Sequence, residues 1–274
     1  MGEYKTYRSD HRLAERAAPV PGRHADRAIL VTGGASGIGH AVAGRLVAEG
    51  ARVMIADLAT DQLDEIAGKL GAAAIACDVS DPDATGPAMA KVAERLGPLD
   101  GLVNCAAVVR HCDPLEISRA DWEMQYRVNV FGAYDMAVAA AKAMIAAEKP
   151  GAIVTLASEA GKKGHLDSLA YSSSKAAVIS WTRILAARLA PYDINVNCVC
   201  PGGVATPMLR QVAADYGKVT GEDPESVFAQ MTMPQLGRHI APAEVAAVIS
   251  FLLGDDAILV RGQAINADAG DTPY

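Results

Sequence analysis

A chain of 274 residues, 51 % of them hydrophobic, carries enough apolar surface for one large core, and α/β folds of this length commonly form a single domain. Its 25 basic and 32 acidic residues leave a formal charge of −7, which gives no excess positive field to hold a phosphate backbone and excludes nucleic acid as a partner. Gly, Pro and charged residues break the apolar stretches before the roughly 20 residues that span a bilayer, so no membrane partner is expected. Residues 1–26 lack the apolar run of a secretory signal and are read as an arm ahead of one domain at 27–274.

The first strand, expected at 28–32, is apolar throughout, as when both faces of a sheet are covered. It runs into 32–39 (TGGASGIG) and then a helix at 38–49. Glycines at these places suit a tight turn, backbone approach to a pyrophosphate and close packing of helix on strand, while the N–H groups of Gly33, Ser36, Gly37, Ile38 and Gly39 face the phosphates. The second strand, 52–56, delivers Asp57 18 residues after Gly39, the spacing of a carboxylate that accepts hydrogen bonds from the adenosine ribose. Such an acid repels a 2′-phosphate, and neither Ser36 nor Leu58 offers a cation, so NAD is expected rather than NADP.

The third strand, 73–77, is followed by Asp78 and Val79, placed to bond the adenine amino group and to lie against its ring. A helix is expected at 82–96, then a strand at 100–104 that ends on Asn104 at the same edge of the sheet. Asp78 and Asn104 are equally good turn formers. A long helix at 121–148 precedes the fifth strand, 152–157, which ends at Ser158. In the next helix, 169–189, Tyr171 and Lys175 stand one turn apart and share a face. A tyrosine is a poor base at neutral pH, but a nearby ammonium favours its phenolate, which makes Tyr171 a general acid and base, with Ser158 to hold the substrate oxygen.

The strand 194–199 sends Cys198 and Cys200 to one face. With Cys77, Cys105 and Cys112 they form neither a disulfide framework nor a metal set, and reduced thiols in the cytoplasm are expected. The polar, Met-bearing stretch 206–237 sits where a substrate lid belongs, ahead of a helix at 243–253 and a last strand at 263–267. Alternation of strands and helices predicts an α/β fold, a single domain with seven parallel strands flanked by helices.

The motifs at 32–39, 104–107 (NCAA), Ser158, 171–175 (YSSSK) and 201–202 (PG) resemble those of the short-chain dehydrogenase/reductase family, and the resemblance covers about 27–270. It implies a doubly wound Rossmann-type sheet and hydride transfer between NAD(H) and a secondary alcohol or ketone. Tyr171 would move the proton, and Lys175 would lower its pKa and bind the nicotinamide ribose. Asn129, within 127–130 (RVNV), would hold a water in a proton relay. Ala106, Pro201, Gly202, Val204 and Thr206 would complete the cofactor site. Ala107 departs from the family, which usually has Gly there.

The stretch 157–164 (ASEAGKKG) and the helix after it look like polyol and sugar-alcohol dehydrogenases, so a polyol or hydroxyketone is the expected substrate. A cationic rim from Arg110, His111, Lys162, Lys163, His165 and Arg210 would suit an anionic one instead. The rival class is a redox sensor that binds NAD(H) without turnover, against which Ser158, Tyr171, Lys175 and Asn129 stand together. Two long Ala-rich helices, with the family resemblance, point to a homotetramer.

Overall fold

The computed structural model describes residues 17–58 and 60–272. Seven strands, β1 (Ala28–Thr32), β2 (Arg52–Asp57), β3 (Ala73–Ala76), β4 (Gly101–Asn104), β5 (Gly151–Leu156), β6 (Ile194–Pro201) and β7 (Ala264–Ala267), form one parallel sheet in the order β3-β2-β1-β4-β5-β6-β7. In β1, Ile29 and Val31 join the core under helices α1 (Gly37–Ala48), α2 (Leu63–Leu70) and α10 (Pro242–Leu253), while Ala28 and Leu30 join the core on the opposite face. There they meet α3 (Thr85–Leu96), α5 (Ala133–Ala146) and α7 (Leu169–Leu189). Both faces are therefore covered, and the uninterrupted apolar strands follow from that. The strand order reverses direction between β1 and β4, which opens a crevice at the carboxyl ends of the strands.

The helix expected at 121–148 is three pieces: α4 (Arg119–Tyr126), a π-helical turn at Arg127–Gly132, and α5. The extra residue of a π turn rotates the chain locally, and here it carries Asn129 into the interior, where it is 1 % exposed. Taken together, Arg119–Ala146 is long enough to cross a bilayer and contains a window of mean hydropathy 1.2, a length the sequence reading missed by treating glycine and charge as breaks. Half of its apolar window is buried, with Met136, Ala140 and Met144 fully enclosed against the sheet, so its apolar character fills a core.

Three further helices were not expected: α2, and within the stretch 206–237 α8 (Pro207–Thr220) and α9 (Pro224–Gln230). Both α8 and α9 carry Pro in their first turn behind a capping side chain, Thr206 and Asp223. They close a small core of their own around Ala213, Val227 and Phe228. A single turn, α6 (Ala160–Lys163), links β5 to α7.

Residues 17–24 lie against α1 and α10 through a buried polar cluster. The Glu49 carboxylate accepts from Val20 N at 2.9 Å and from the Ser250 hydroxyl, pairs with Arg45 at 2.9 Å, and stands 3.5 Å from His24 Nε2. His24 and Glu49 are fully buried. Burial holds the His24 pKa below its ordinary value, against the opposing pull of Glu49. Glu49→Ala leaves Arg45 and His24 without their anion, and urea denaturation is expected to show a loss of about 3–5 kcal/mol. Because the His24 value is lowered by folding, the unfolded chain takes up the proton first; stability should fall as pH drops below about 6.5, less so in His24→Gln.

Candidate active site

The crevice is a cavity of about 650 Å³ lined from the ends of β1 to β6 and from α8. At one end the turn after β1 depends on two glycines. Gly33 has φ 64°, and a Cβ there would lie 2.6 Å from Ala106 N; a Cβ on Gly39 would lie 2.1 Å from the Gly33 carbonyl oxygen. Thr32 Oγ1 accepts from Ala106 N at 3.3 Å, tying this turn to the loop after β4. No acidic residue stands in the first turn of α1, so its free N–H groups and dipole present positive potential to the cavity. A Cβ on Gly37 would sit 3.5 Å from Thr206 Cγ2, so the turn faces the start of α8 across the cavity. A cradle that any side chain would fill, set on a helix N-terminus, fits an anionic dinucleotide.

Asp57 lines this end. Its Oδ2 accepts from Ala35 N at 2.9 Å and its Oδ1 from Leu58 N at 2.8 Å, so the carboxylate holds the glycine turn and retains lone pairs for a ligand. Arg52 lies at the other end of β2 and is spent on the carbonyls of Leu96 and Asp26. Asp78 Oδ1 accepts from Ser80 N at 2.9 Å, a local turn, yet Asp78 and Val79 both line the cavity. So do Ser36, Ile38, Ala106, Ala107, Pro201, Gly202 and Val204. Asn104 does not. It is 2 % exposed inside the sheet, where Nδ2 donates to the Ala133 carbonyl at 2.9 Å and Oδ1 accepts from Thr32 Oγ1 at 3.4 Å. Its amide ties β1 and β4 to the start of α5.

At the other end Ser158 leaves β5 and Tyr171 and Lys175 descend from α7. Lys175 is 2 % exposed, donates to the Leu156 carbonyl at 2.7 Å, and holds Nζ 5.7 Å from the Tyr171 ring centroid. Burial pushes the Tyr171 pKa up to about 12, opposed by a hydrogen bond with Ser158 and assisted by the charge of Glu159. The expected lowering by Lys175 therefore does not prevail: the ammonium is itself buried, its pKa brought down to about 8 by desolvation. Asn129 stands behind the wall. Its Oδ1 accepts from Val108 N at 2.8 Å, and its Nδ2 donates to the Val108 carbonyl at 2.9 Å and to Ser174 Oγ at 3.1 Å.

The family model described as enoyl-(acyl carrier protein) reductase matches residues 33–272. A ketoacyl reductase of the granaticin polyketide synthase from Streptomyces violaceoruber is 36 % identical over 262 residues, 93 % of this chain and 96 % of that one. Sorbitol dehydrogenase from Cereibacter sphaeroides is 36 % identical over 248 residues, 88 % of this chain and 96 % of its own. A crystal structure of a variant actinorhodin polyketide ketoreductase with NADPH superposes with a TM-score of 0.87 at 33 % identity, over 93 % of this chain and all of that one. The chain belongs to the short-chain dehydrogenase/reductase family.

In this short-chain dehydrogenase/reductase the remaining cavity wall is the part the sequence did not lay out. The cationic rim is not formed. Arg110, Lys162 and Arg210 do not line the cavity, and Arg210 pairs with Glu225 at 3.0 Å. His111, Lys163 and His165 do line it, but each meets a carboxylate: His111 with Asp167 at 3.3 Å, Lys163 with Glu159 at 3.4 Å and with Asp271, His165 with Glu159 at 2.8 Å. The same cavity is lined by Met208, Leu209, Val212, Tyr216, Met231 and Met233 from the 206–237 stretch. The Glu159 to Lys163 spacing of four residues was a readable signal; His165 reaches Glu159 only because Gly164, at φ 72°, turns the chain back after α6.

Asn129→Ala leaves both polar groups of the Val108 backbone without their partner. Thermal and urea unfolding are expected to show a loss of about 2–4 kcal/mol, and amide exchange at Val108 should accelerate.

Proposed function

We propose that this short-chain dehydrogenase/reductase is an NAD(H)-dependent oxidoreductase that moves a hydride between the nicotinamide and a secondary alcohol or ketone, with a polyol or hydroxyketone as substrate. The observation that carries the reading is the meeting of Ser158, Tyr171 and Lys175 in one cavity with the glycine cradle of α1. The bound dinucleotide supplies the hydride acceptor or donor. The backbone of Gly33, Ser36, Gly37, Ile38 and Gly39 holds its phosphates, Asp57 its adenosine ribose, Asp78 and Val79 its adenine, and Ala106, Pro201, Gly202, Val204 and Thr206 its nicotinamide half.

Ser158 bonds the substrate oxygen, and Tyr171 exchanges a proton with it. With its pKa pushed up to about 12, Tyr171 rests as the acid, ready to protonate the alkoxide of a reduced ketone. In the oxidative direction the same hydroxyl accepts the alcohol proton only after losing its own, which Lys175 and the Ser158 hydrogen bond favour. Asn129 bonds Ser174, the sequence neighbour of Lys175, which supports its part in the proton relay. A homotetramer is supported by apolar side chains left outside on the two long helical segments, among them Phe131, Tyr134 and Ile184, and a cytoplasmic location by five free cysteines.

The test is a steady-state panel of secondary alcohols and ketones with NAD(H) and NADP(H). Tyr171→Phe should lower kcat by about 10²–10⁴-fold while NADH still binds. Asp57 faces a 2′-phosphate with like charge, and no Arg or Lys lines that end of the cavity among the described residues. NAD should therefore be preferred by about two orders of magnitude, a gap that Asp57→Ser narrows by weakening NAD and relieving NADP. Equal use of both cofactors by the wild type would overturn the NAD reading.

A further inference from the structure

The substrate end of the cavity holds a histidine that neither the hydride transfer nor the proton relay uses. His165 Nε2 lies 2.8 Å from Glu159 Oε1, and Glu159 is the residue directly after Ser158. The carboxylate is itself fixed: its side chain is 11 % exposed, Lys163 stands 3.4 Å from Oε2, and Glu159 N donates to the Pro201 carbonyl at 3.0 Å. The histidine is not enclosed. At 40 % side-chain exposure it lines the cavity with Ser158 and Tyr171, and Nε2 makes its one hydrogen bond among the described residues. A carboxylate that bonds one ring nitrogen fixes the plane of the imidazole and leaves the other nitrogen aimed away from it.

Resting on the dehydrogenase reading above, we propose that His165, positioned by Glu159, binds a second hydroxyl or carbonyl oxygen on the carbon next to the reacting one, and so selects vicinal diols, α-hydroxyketones and longer polyols over simple secondary alcohols. The polarity of the wall agrees. His165, Lys163 and His111 are each matched by Glu159, Asp271 or Asp167, so the surface offers donors and acceptors without the unpaired positive charge that a phosphate or carboxylate substrate requires. The Glu159 bond also raises the His165 pKa, against the opposing effect of burial, which favours the form in which both nitrogens donate. Met208, Leu209 and Val212 line the same cavity and offer the rest of the substrate an apolar seat.

The experiment compares a secondary alcohol with the same carbon chain bearing a neighbouring hydroxyl, 2-butanol against 2,3-butanediol, in wild type, His165→Leu and Glu159→Gln. The expected result is that the wild type favours the diol and that in His165→Leu the ratio of kcat/KM for diol over monoalcohol falls about tenfold, the size of one hydrogen bond, chiefly through KM. Glu159→Gln should give a smaller fall in the same ratio, because the amide still bonds the ring but no longer holds its charged form. His165→Leu is partly exposed, so loss of the fold is not the expected outcome, and circular dichroism checks it. An unmoved ratio, an equal loss for both substrates, or a wild type that favours the monoalcohol overturns the proposal while leaving the dehydrogenase reading intact. Absence of turnover with any substrate and either cofactor would instead remove that reading and this one with it.

Discussion

All seven strands of the sheet among the described residues run in the same direction, and that constraint organises the rest. A parallel neighbour can be reached only by a crossover long enough to return the chain, and the crossovers bury both faces of the sheet under helices. All the loops that leave the carboxyl ends then gather along one edge, and where the order turns from β1 to β4 they part into a crevice. The glycine turn, Asp57, Ser158 and the start of α8 come together there because each lies at or just after a strand end, although in sequence they run from Gly33 to Pro207.

The two ends of the crevice treat charge differently. Beside β1 the positive end of α1 is left without an acidic residue in its first turn, a field available to an anion. On the substrate side every cation lining the wall above Tyr171 has a carboxylate within reach. The first surface suits a phosphate and the second suits neutral polar groups, which need directed hydrogen bonds more than net charge.

Burial governs Tyr171 and Lys175 as well. An ammonium that is 2 % exposed survives because the Leu156 carbonyl accepts from it at 2.7 Å, and desolvation still lowers its pKa. The same dry surroundings raise Tyr171. Asn129, brought inward by the π turn, clamps the loop that closes this compartment by bonding both polar groups of Val108.

The sequence by itself determined the sheet and most of the candidate site. All seven strands were legible because their apolar runs record burial on two faces, and the glycine turn, Asp57, Ser158, Tyr171 and Lys175 were legible because their chemistry is set by local spacing along a strand, turn or helix. Helices α8 and α9 were hidden by polar composition, since their own small core holds only Ala213, Val227, Phe228 and a few neighbours. Other features only the tertiary structure decided. Asn104 closes an apolar strand and Asn129 lies within a helical run, and nothing local tells that one ties β1 and β4 to α5 while the other clamps a loop. Tyr171 rises in pKa because burial outweighs its hydrogen bond with Ser158, and the cations expected on the rim meet carboxylates, Asp167 and Glu159 from the connection after β5 and Asp271 from beyond β7. Charge in a sequence can be counted, but whether it is paired depends on which loops meet at the sheet edge.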